Sequence, residues 1–551
     1  MKVECLLDKV NINNFLEDYL KACGVKDVKK YSEANTFDNV WNYPGMEEAV
    51  RRLNIAIKEK EKIGILVDCD CDGYLSSTII YTFLKNNYEI PILFFHNAKQ
   101  HGLRKNEDED IVQQIIDSKI NLLIIPDAGT NDFQEQKELI SNGISIIVLD
   151  HHEVDDYDKV IESSAYIVNH HLGHNLNTAL SGTGVTYKFV EAYCEKYNLK
   201  MAEYRDLIMF SLISDECDLS SYENYSFLKA GYKILNSGKG NQFLKYLTDK
   251  VSNQQNCAKK FSFRVIPMFN SVIRSTNMQN KLILFQALVD EFDVEEAYKI
   301  GSKEQRQQKK IVDEIIEEVQ STIDFSKKVL IGFTKPKYKS YIGLAANKFT
   351  GEYNKPTIIL REAGSTKWSG SLRSPVPLAE KINETNLAKC LGHSSAAGCF
   401  LKKSNLPKLQ DYFEKLDLNE ESVYAVTSKL EPYQVNKDLC FICDEYNPLW
   451  GCSKGNKIVV PKFYFNLKLN SYIFSIIGKK NDTLKFNIDN VNFIKFRLSE
   501  EEIEQLEQYK EFNFECIGVL TNNEYNGTIT SQVIIEKFEI TEIKQDWSEL
   551  F

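Results

Sequence analysis

Residues 63–73 read IGILVDCDCDG, an apolar run that ends in three alternating aspartates and a glycine. The apolar part, Ile63–Val67, is short, rich in Ile and uncharged, which is typical of a strand buried on both faces of a parallel sheet. In open α/β sheets, functional residues lie at the carboxyl ends of the strands. The stretch therefore predicts an α/β domain with an acidic site where Asp68, Asp70 and Asp72 follow the strand.

Further apolar runs of this kind follow, and helical stretches separate them. The runs lie at residues 90–95, 122–125, 144–149 and 166–168. A long charged helix is predicted over Val294–Val319, and a second α/β pattern begins at Lys328. From about Ser428 the pattern is one of short strands, which suits a small barrel or sandwich. The chain is thus predicted to contain several domains, as its 551 residues also suggest.

The composition excludes several classes of protein. Hydrophobic residues make up 43% of the chain and charged residues 26%, which excludes a mostly disordered protein. No apolar run approaches the roughly 20 residues that a membrane helix needs, and the N-terminus MKVECLLDKV has no signal-peptide core. Thirteen cysteines in a chain of this length are no disulfide scaffold. We expect a cytoplasmic protein with reduced thiols and no membrane partner.

The net charge of −11 argues against a nonspecific nucleic-acid coat protein. Residues 257–281 and 326–349 nevertheless contain several basic side chains and no acid. Such stretches suit a path for an anionic polymer. They suit equally well solvated lysines on unrelated faces, and the charge pattern does not decide between the two.

Ionisable side chains follow two more of the predicted strands. Asp127 follows the run 122–125, and Asp150, His151 and His152 follow the run 144–149. We expect the segment after Val67 to be extended, so that Asp68, Asp70 and Asp72 share one face while Cys69 and Cys71 point into packing. A lone aspartate at a strand end is usually a helix N-cap, but clusters at three strand ends favour a shared site. Clustered carboxylates repel one another unless a divalent cation binds them, and mixed Asp and His ligands favour Mn²⁺ or Mg²⁺.

These motifs resemble those of the DHH phosphoesterase superfamily, which is named for the triplet at 150–152. The stretch LISDECDL resembles its fourth motif and places Asp215 as the last metal ligand. Within the superfamily the chain is most similar to the RecJ single-strand exonucleases. SGSLRS and LGHSSAAGCF, with the preceding GLAANKFTGEYNKPTIIL, resemble the DHHA1 domain, and NEYNGTITSQVIIEKFEI resembles the end of the RecJ OB-fold.

The resemblance implies two α/β lobes, DHH and DHHA1, joined by a long helix around a groove, plus a C-terminal all-β OB-fold-like barrel. The expected boundaries are 1–225 for the DHH domain with an N-terminal helical segment, 226–325 for a helical segment and the connector helix, 326–425 for DHHA1, and 428–551 for the barrel.

The resemblance also implies two-metal hydrolysis of phosphodiester bonds, with two Mn²⁺ or Mg²⁺ ions. Asp68 and Asp70 would hold one ion, Asp72, His151 and Asp215 the other, with Asp127 as the bridge. The expected catalytic residues are His152, Asp127 and His393. The expected substrate-binding residues are Arg373, His393, Ser394, Asn270, Arg274 and Asn169.

The function implied is that of a single-strand DNA exonuclease, acting 5′→3′ and releasing 5′-mononucleotides, in DNA repair or recombination. Alternatives are a phosphodiesterase for short oligonucleotides or cyclic dinucleotides, or a replication scaffold without catalysis. Expected partners are single-stranded DNA and single-strand-binding or other replication and repair proteins. The chain is expected to be a monomer.

The chain departs from the family pattern at three places. Leu391 replaces the first glycine of a Gly-Gly-His signature, and Met268 replaces an arginine that precedes Asn270 in relatives. Cys440, Cys443 and Cys452 have part of the spacing of a zinc site, but no fourth ligand lies nearby. Buried thiols are the simpler interpretation.

Overall fold

The computed structural model describes residues 1–33, 35–97, 100–105, 110–251, 255–416, 423–452, 456–525 and 527–542. The chain forms two compact units. The first comprises Met1–Phe94, His101–Ile266 and Ser422–Phe551, and the second comprises Phe95–Gln100 and Pro267–Glu421. The predicted metal ligands all belong to the first unit, whereas Arg274, Arg373 and His393 belong to the second.

Strands and helices alternate between residues 63 and 169, and from residue 182 to 260 the described elements are helices. The elements are β1 (Lys2–Cys5), α1 (Phe15–Ala22), α2 (Val28–Ser32), α3 (Met46–Glu59), β2 (Ile63–Val67), α4 (Cys71–Asn87), β3 (Ile92–Phe95), α5 (Ile111–Asp117), β4 (Leu122–Pro126), α6 (Phe133–Ser141), β5 (Ser145–Asp150), α7 (Tyr157–Glu162), β6 (Tyr166–Asn169), α8 (Gly182–Tyr197), α9 (Arg205–Ser214), α10 (Tyr222–Asn236), α11 (Gln242–Val251) and α12 (Ala258–Lys260).

Five of these strands form one sheet in the order β3-β2-β4-β5-β6. The pairs β2–β4, β4–β5 and β5–β6 are parallel, with Ile63 opposite Leu122 and Ile147 opposite Tyr166. Every residue of β2 and β4 is buried, as expected of strands covered by helices on both faces. The predicted parallel α/β sheet is confirmed, and the carboxyl ends of β2, β4 and β5 lie along one edge.

The acidic segment after β2 is not extended. Helix α4 begins at Cys71, and the Asp70 side chain accepts a hydrogen bond from the Gly73 N–H at 2.9 Å. This bond satisfies a donor that the first helical turn leaves without an intrahelical acceptor. The prediction of one extended face carrying three aspartates was therefore wrong, because Asp70 is an N-cap. Cys69 and Cys71 are buried, as predicted.

Residues 266–415 contain the connector helix and a second sheet. The elements are α13 (Ile266–Arg274), α14 (Met278–Leu288), α15 (Val294–Gln320), β7 (Leu330–Thr334), α16 (Ile342–Tyr353), β8 (Thr357–Glu362), β9 (Lys367–Arg373), α17 (Ala379–Glu384), β10 (Ala388–His393), β11 (Ala396–Lys402) and α18 (Leu406–Lys415). The strand order is β10-β11-β9-β8-β7, in which only β7 and β8 pair in parallel. The predicted long helix is confirmed; Ile315 and Val319 of α15 share a core with Leu330 and Ile359 of this sheet.

The C-terminal part is mostly strand. Its elements are β12 (Val423–Val426), β13 (Ser428–Lys429), α19 (Lys437–Cys443), β14 (Lys462–Asn470), β15 (Phe474–Ile477), β16 (Thr483–Ile488), β17 (Val491–Phe496), α20 (Glu500–Gln508), β18 (Glu511–Tyr525) and β19 (Thr528–Glu542). Seven strands form a sheet in the order β13-β14-β18-β19-β17-β16-β15, and β12 pairs in parallel with β1.

The all-strand prediction for this part missed two helices. Asn436 caps α19, and Ser499 with Glu502 forms a capping box at the start of α20. Residues 543–551 of the predicted C-terminal domain lie outside the described residues. None of the helices in the described ranges combines the length and apolar character that crossing a bilayer requires.

Candidate active site

At the acidic edge of the first sheet the described residues form four overlapping groups of potential metal ligands, and two of these groups consist only of predicted metal residues. In each group, one ligand atom per residue lies within 4.8 Å of the others. The first group is Asp68, Asp70 and Asp127, and the second is Asp72, His151 and Asp215. All six predicted metal residues are therefore close together, although only one of them follows β2 directly. The N-cap turn after Val67 divides the three clustered aspartates between the two groups.

Asp127 differs from the other predicted aspartate ligands in its backbone conformation and in its hydrogen bonding. It is buried, and its backbone adopts the left-handed conformation with φ 68°, which is uncommon outside glycine. Neither carboxylate oxygen accepts a hydrogen bond from the described residues, although His151 Nε2 lies 3.2 Å from Oδ1. Burial, followed by repulsion from the neighbouring aspartates, raises the pKa of Asp127 well above its ordinary value. Such a carboxylate needs either a proton or a cation.

Two glycines of the sequence motifs make room for the acids. A Cβ atom on Gly182 would lie 2.2 Å from Asp127 Oδ1, and one on Gly73 would lie 2.6 Å from the Asp68 Cβ. Any larger residue would displace a carboxylate. The glycines at the start of α8 and in the first turn of α4 are therefore part of the site.

Asp72 is held by donors from two helices. The Gly182 N–H and the Thr183 N–H each donate to it at 2.8 Å, and the Ser211 hydroxyl donates at 2.6 Å. The Thr183 hydroxyl donates as well. This carboxylate has a fixed orientation before any ligand binds, as a preorganised site requires.

Asp215 follows α9 and faces His151. The Nε2 atom of His151 lies 3.6 Å from Asp215 Oδ2. Burial raises the pKa of Asp215 to about 7; His151 opposes the rise, and Asp72 and Asp70 add to it. Without a cation, Asp215 therefore keeps its proton to a higher pH than an ordinary aspartate does.

Asp150 serves to orient the two histidines. It accepts hydrogen bonds from the His151 N–H at 2.7 Å and the Thr130 N–H at 2.9 Å, and its Oδ1 lies 2.7 Å from His152 Nδ1. Burial lowers the pKa of His152, but the ion pair with Asp150 outweighs it and raises the pKa to about 10. His152 therefore carries a proton at neutral pH. The orienting role of Asp150 was not predicted, although its position beside both histidines in sequence hinted at it.

Asn169, predicted to contact substrate, is fully buried at the end of β6. Its Nδ2 atom donates to the His152 carbonyl at 2.9 Å and to the Thr130 hydroxyl at 3.1 Å. Its Oδ1 atom accepts from the His171 N–H at 2.8 Å. These contacts argue for a role in positioning His152 rather than for contact with a substrate.

The second unit brings several predicted substrate-binding residues to one sheet edge. Arg373 of β9 is opposite Ala396 of β11, which is opposite His393 of β10, so that Arg373 and His393 lie on one line across three strands. Burial and the nearby Arg274 both lower the pKa of Arg373, and its Nη1 atom donates to the Ser371 hydroxyl and the Leu372 carbonyl. His393 is exposed. The two neighbouring guanidinium groups, of Arg373 and Arg274, are suited to binding an anion.

Three further predicted residues complete the description of this unit. Asn270 and Arg274 are four residues apart on α13 and hence on one face. The carbonyl of Ser394, in the turn between β10 and β11, accepts hydrogen bonds from the Leu378 and Ala379 N–H groups at 2.9 Å. The backbone of the turn is thereby fixed beside His393.

The departures from the family pattern have different structural settings. Met268 is buried, and a Cβ atom on Gly301 of α15 would lie 2.8 Å from its sulfur. This side chain therefore packs in a core and is not placed to bind phosphate. Leu391, in contrast, is 53% exposed. Cys440 and Cys443 are buried, and no potential metal group among the described residues includes them, which favours the interpretation as thiols.

The two basic stretches are acid-free in sequence but not in space. Lys259 pairs with Glu445, Lys335 with Glu318 and Lys348 with Asp313. Lys281 is buried, and its Nζ atom donates to the His96 carbonyl at 2.6 Å. These contacts favour structural roles for the four lysines over a continuous path for an anionic polymer.

Comparison with known proteins agrees with the geometry of the site. Residues 62–212 match the model of the DHH family, N-terminal domain. The chain therefore contains a DHH-family domain over these residues. It is 28% identical to the Bacillus subtilis protein described as "Putative SPbeta prophage-derived single-strand DNA-specific exonuclease YorK", over 96% of each chain. It is 24% identical to the single-stranded-DNA-specific exonuclease RecJ of Bacillus subtilis, over 77% of this chain and 55% of that one.

A solved structure shows the same fold. The RecJ structure from Thermus thermophilus in complex with Mn²⁺ superposes with a TM-score of 0.76 at 18% identity, over 98% of this chain and 79% of that one. The Mg²⁺ complex of the same protein gives a TM-score of 0.72. The RecJ-type fold thus extends over the described helices and strands and not only over the DHH region.

Proposed function

We propose that this chain is a metal-dependent exonuclease that hydrolyses the phosphodiester bonds of single-stranded DNA. The observation that carries the proposal is the setting of Asp127, a buried carboxylate with four neighbouring aspartates and no hydrogen-bond donor among the described residues. The exonuclease descriptions of the relatives support the same chemistry. A scaffold without catalysis does not need this arrangement, since uncompensated buried acids destabilise a fold.

The residues present suit two divalent cations. Asp68, Asp70 and Asp127 would hold one, and Asp72, His151 and Asp215 would hold the other, with Asp127 close to both groups. Hard carboxylate oxygens with one imidazole favour Mn²⁺ or Mg²⁺. Bound ions of this kind activate water for attack and neutralise charge on the phosphoryl oxygens.

The remaining residues of the site orient groups and carry protons. Asp150 keeps His152 protonated, so that its Nε2 atom has a proton to donate to the departing oxygen or to a phosphate oxygen. Thr183 and Ser211 hold Asp72 in one orientation. Arg373 and Arg274, with His393, would bind phosphates of the strand, because a guanidinium fork matches two phosphate oxygens.

Several finer points belong to the same proposal and rest on the family resemblance. They are the 5′→3′ direction, the release of 5′-mononucleotides, the four domain boundaries, a groove between two lobes that admits one strand, and an OB-like C-terminal barrel. Roles in repair or recombination, binding to other replication proteins and the monomeric state are proposed on the same basis.

The direct test incubates the purified chain and Mn²⁺ with single strands labelled at either end. We expect early release of labelled mononucleotide from the 5′-labelled strand alone, and little cleavage of a blunt duplex. Release from the 3′ label first would reverse the direction but keep the activity. Hydrolysis of a cyclic or linear dinucleotide without degradation of long strands would replace the proposal by the small-substrate phosphodiesterase.

A further inference from the structure

His101 contacts the acidic cluster from a loop outside all of the motifs. Its Nδ1 atom lies 2.6 Å from Asp68 Oδ2, and the Gly102 N–H donates to Asp68 Oδ1 at 2.8 Å. Asp68 is fully buried, whereas the His101 side chain is 44% exposed. Among the described residues, the consecutive loop residues His101 and Gly102 make the hydrogen bonds to the Asp68 carboxylate, one to each oxygen.

The loop is held in place independently of Asp68. The Leu103 N–H donates to Asp132 Oδ2 at 2.7 Å, and Arg104 Nε donates to Asp132 Oδ1 at 3.0 Å. Gly102 has φ 65°, and a Cβ atom on it would lie 2.1 Å from Asp132 Oδ2. The buried Asp132 therefore fixes the backbone on the far side of Gly102. His101 is consequently presented to Asp68 by an anchored segment.

The potential metal ligands differ in how they are oriented. Asp72 is held by donors from α8 and α9, and Asp70 by the first turn of α4. Among the described residues, Asp68 accepts its hydrogen bonds from His101 and Gly102, which belong to neither helix. The Gly102 donor is a main-chain N–H and is present whatever the side chains are. His101 is therefore the side chain whose substitution can change the orientation of the Asp68 carboxylate.

We propose that His101 is a positioning residue of the hydrolytic site, which orients Asp68 for cation binding through an Nδ1–H···Oδ2 hydrogen bond. This inference rests on the proposed function. One N–H donor on each oxygen holds the carboxylate in one orientation. A carboxylate oxygen of Asp68 lies within 4.8 Å of ligand atoms of Asp70 and Asp127. Partners of this kind typically change metal affinity about 10- to 100-fold when they are removed.

The test compares Mn²⁺ binding by calorimetry for the wild type, His101→Ala and His101→Asn. We expect His101→Ala to weaken binding about 10- to 100-fold. His101→Asn, whose amide N–H takes approximately the place of Nδ1–H, should restore most of the affinity. In assays on single-stranded DNA, we expect His101→Ala to lower kcat at limiting Mn²⁺, to recover at saturating Mn²⁺, and to leave the KM for DNA unchanged.

The matched control is Arg104→Ala, which removes a side-chain anchor of the same loop without touching Asp68. Its Mn²⁺ affinity should equal that of the wild type. Equal losses in His101→Ala and Arg104→Ala would show a general loosening of the loop and overturn the inference. If His101→Ala does not fold, His101→Leu against His101→Asn makes the same comparison without leaving a cavity.

Two other results separate this inference from the proposed function. A wild type that binds Mn²⁺ and degrades single strands, together with a His101→Ala variant of unchanged affinity, would overturn the role of His101 alone. A wild type that binds no Mn²⁺ would overturn both, because Asp68 would then have no cation to hold.

Discussion

The acidic cluster around Asp127 and the arginine pair of the second unit each contain a buried ionisable side chain beside groups of the same charge. The charge is negative in the first case and positive in the second. At Asp127, burial and neighbouring carboxylates raise the pKa; at Arg373, burial and the neighbouring Arg274 lower the pKa. The two sites differ in how the chain holds their charged side chains. The aspartates are built into strand ends and helix starts, whereas Arg373 donates to the neutral oxygens of Ser371 and Leu372.

The comparison indicates what each site is built to bind. A buried carboxylate among like charges calls for a cation, and the guanidinium of Arg373, which donates to neutral oxygens, suits a phosphate. The lysines of the basic stretches contrast with both, since acids of the chain already pair with several of them. The density of charge in the sequence is therefore a weaker indicator of function than the contacts that each charged side chain makes in the fold.

The largest expected effect is that of Asp127→Asn. We expect Mn²⁺ affinity and nuclease activity to fall more than about 100-fold, beyond what loss of a mere supporting partner costs. The metal-free protein should at the same time become more stable, because a buried carboxyl with a raised pKa is replaced by a neutral amide. Calorimetry and thermal unfolding measure the two effects. Asp156→Asn, at an exposed helix cap, should leave Mn²⁺ binding unchanged.

Arg373→Ala should weaken binding of single-stranded DNA about 10- to 100-fold, since a hydrogen bond to a charged group is worth about 1.5–3 kcal/mol. Mn²⁺ affinity should not change, and Arg373→Lys should be intermediate because lysine lacks the fork. Fluorescence anisotropy with a labelled strand measures the loss. Arg361→Ala on the neighbouring strand β8 is the matched control. If Arg373→Ala also lost Mn²⁺ affinity, the assignment of separate metal and phosphate sites would be contradicted.

The pH dependence of stability distinguishes the acidic site further. The pKa of Asp215 rises from 3.8 to about 7 on folding, so the folded protein binds this proton more tightly than the unfolded one. The contribution of Asp215 to stability is therefore lost as pH rises from about 4 through 7. We expect the Tm of the metal-free protein to fall over this range, less so in Asp215→Asn, and Mn²⁺ affinity to rise. A Tm that is independent of pH in both proteins would contradict this assignment.

The smallest effect is expected for Lys348→Ala. Its Nζ atom lies 3.2 Å from Asp313 Oδ1 at the surface, so its removal should change DNA affinity about twofold or less, within about 0.5 kcal/mol. Titration with labelled single strands at low and moderate salt measures this. A reduced salt dependence in the variant would restore the basic stretch as a path for the strand.

Much of the first sheet was predictable because the signal is local. The bounds of β2 coincide with the apolar run Ile63–Val67, since five consecutive apolar residues suit only a fully buried strand in this context. The convergence of Asp127 and the histidines followed from their positions after strands. The turn at Asp70 was not predicted, because the alternation of aspartates is compatible with both an extended strand and a capped helix.

Other features depended on contacts that no local pattern reveals. Val3 of β1 pairs with Tyr424 of β12, and Lys281 reaches the His96 carbonyl. His101 has no motif around it, and only its distance to Asp68 marks it as part of the site. Met268 replaces an arginine of the family pattern, and only its packing against Gly301 shows that it occupies a core position.

The sequence by itself determined the strands of the first sheet, to within about two residues at each end, and which acids and histidines follow them, because burial and strand propensity act over neighbouring residues. Tertiary structure alone decided how those acids are divided, held and charged. The Ser211 hydroxyl reaches Asp72 across 139 residues, and the pKa of Asp127 depends on aspartates from two other segments. Electrostatic energies depend on distances in space and on burial, and neither is present in the order of residues along the chain.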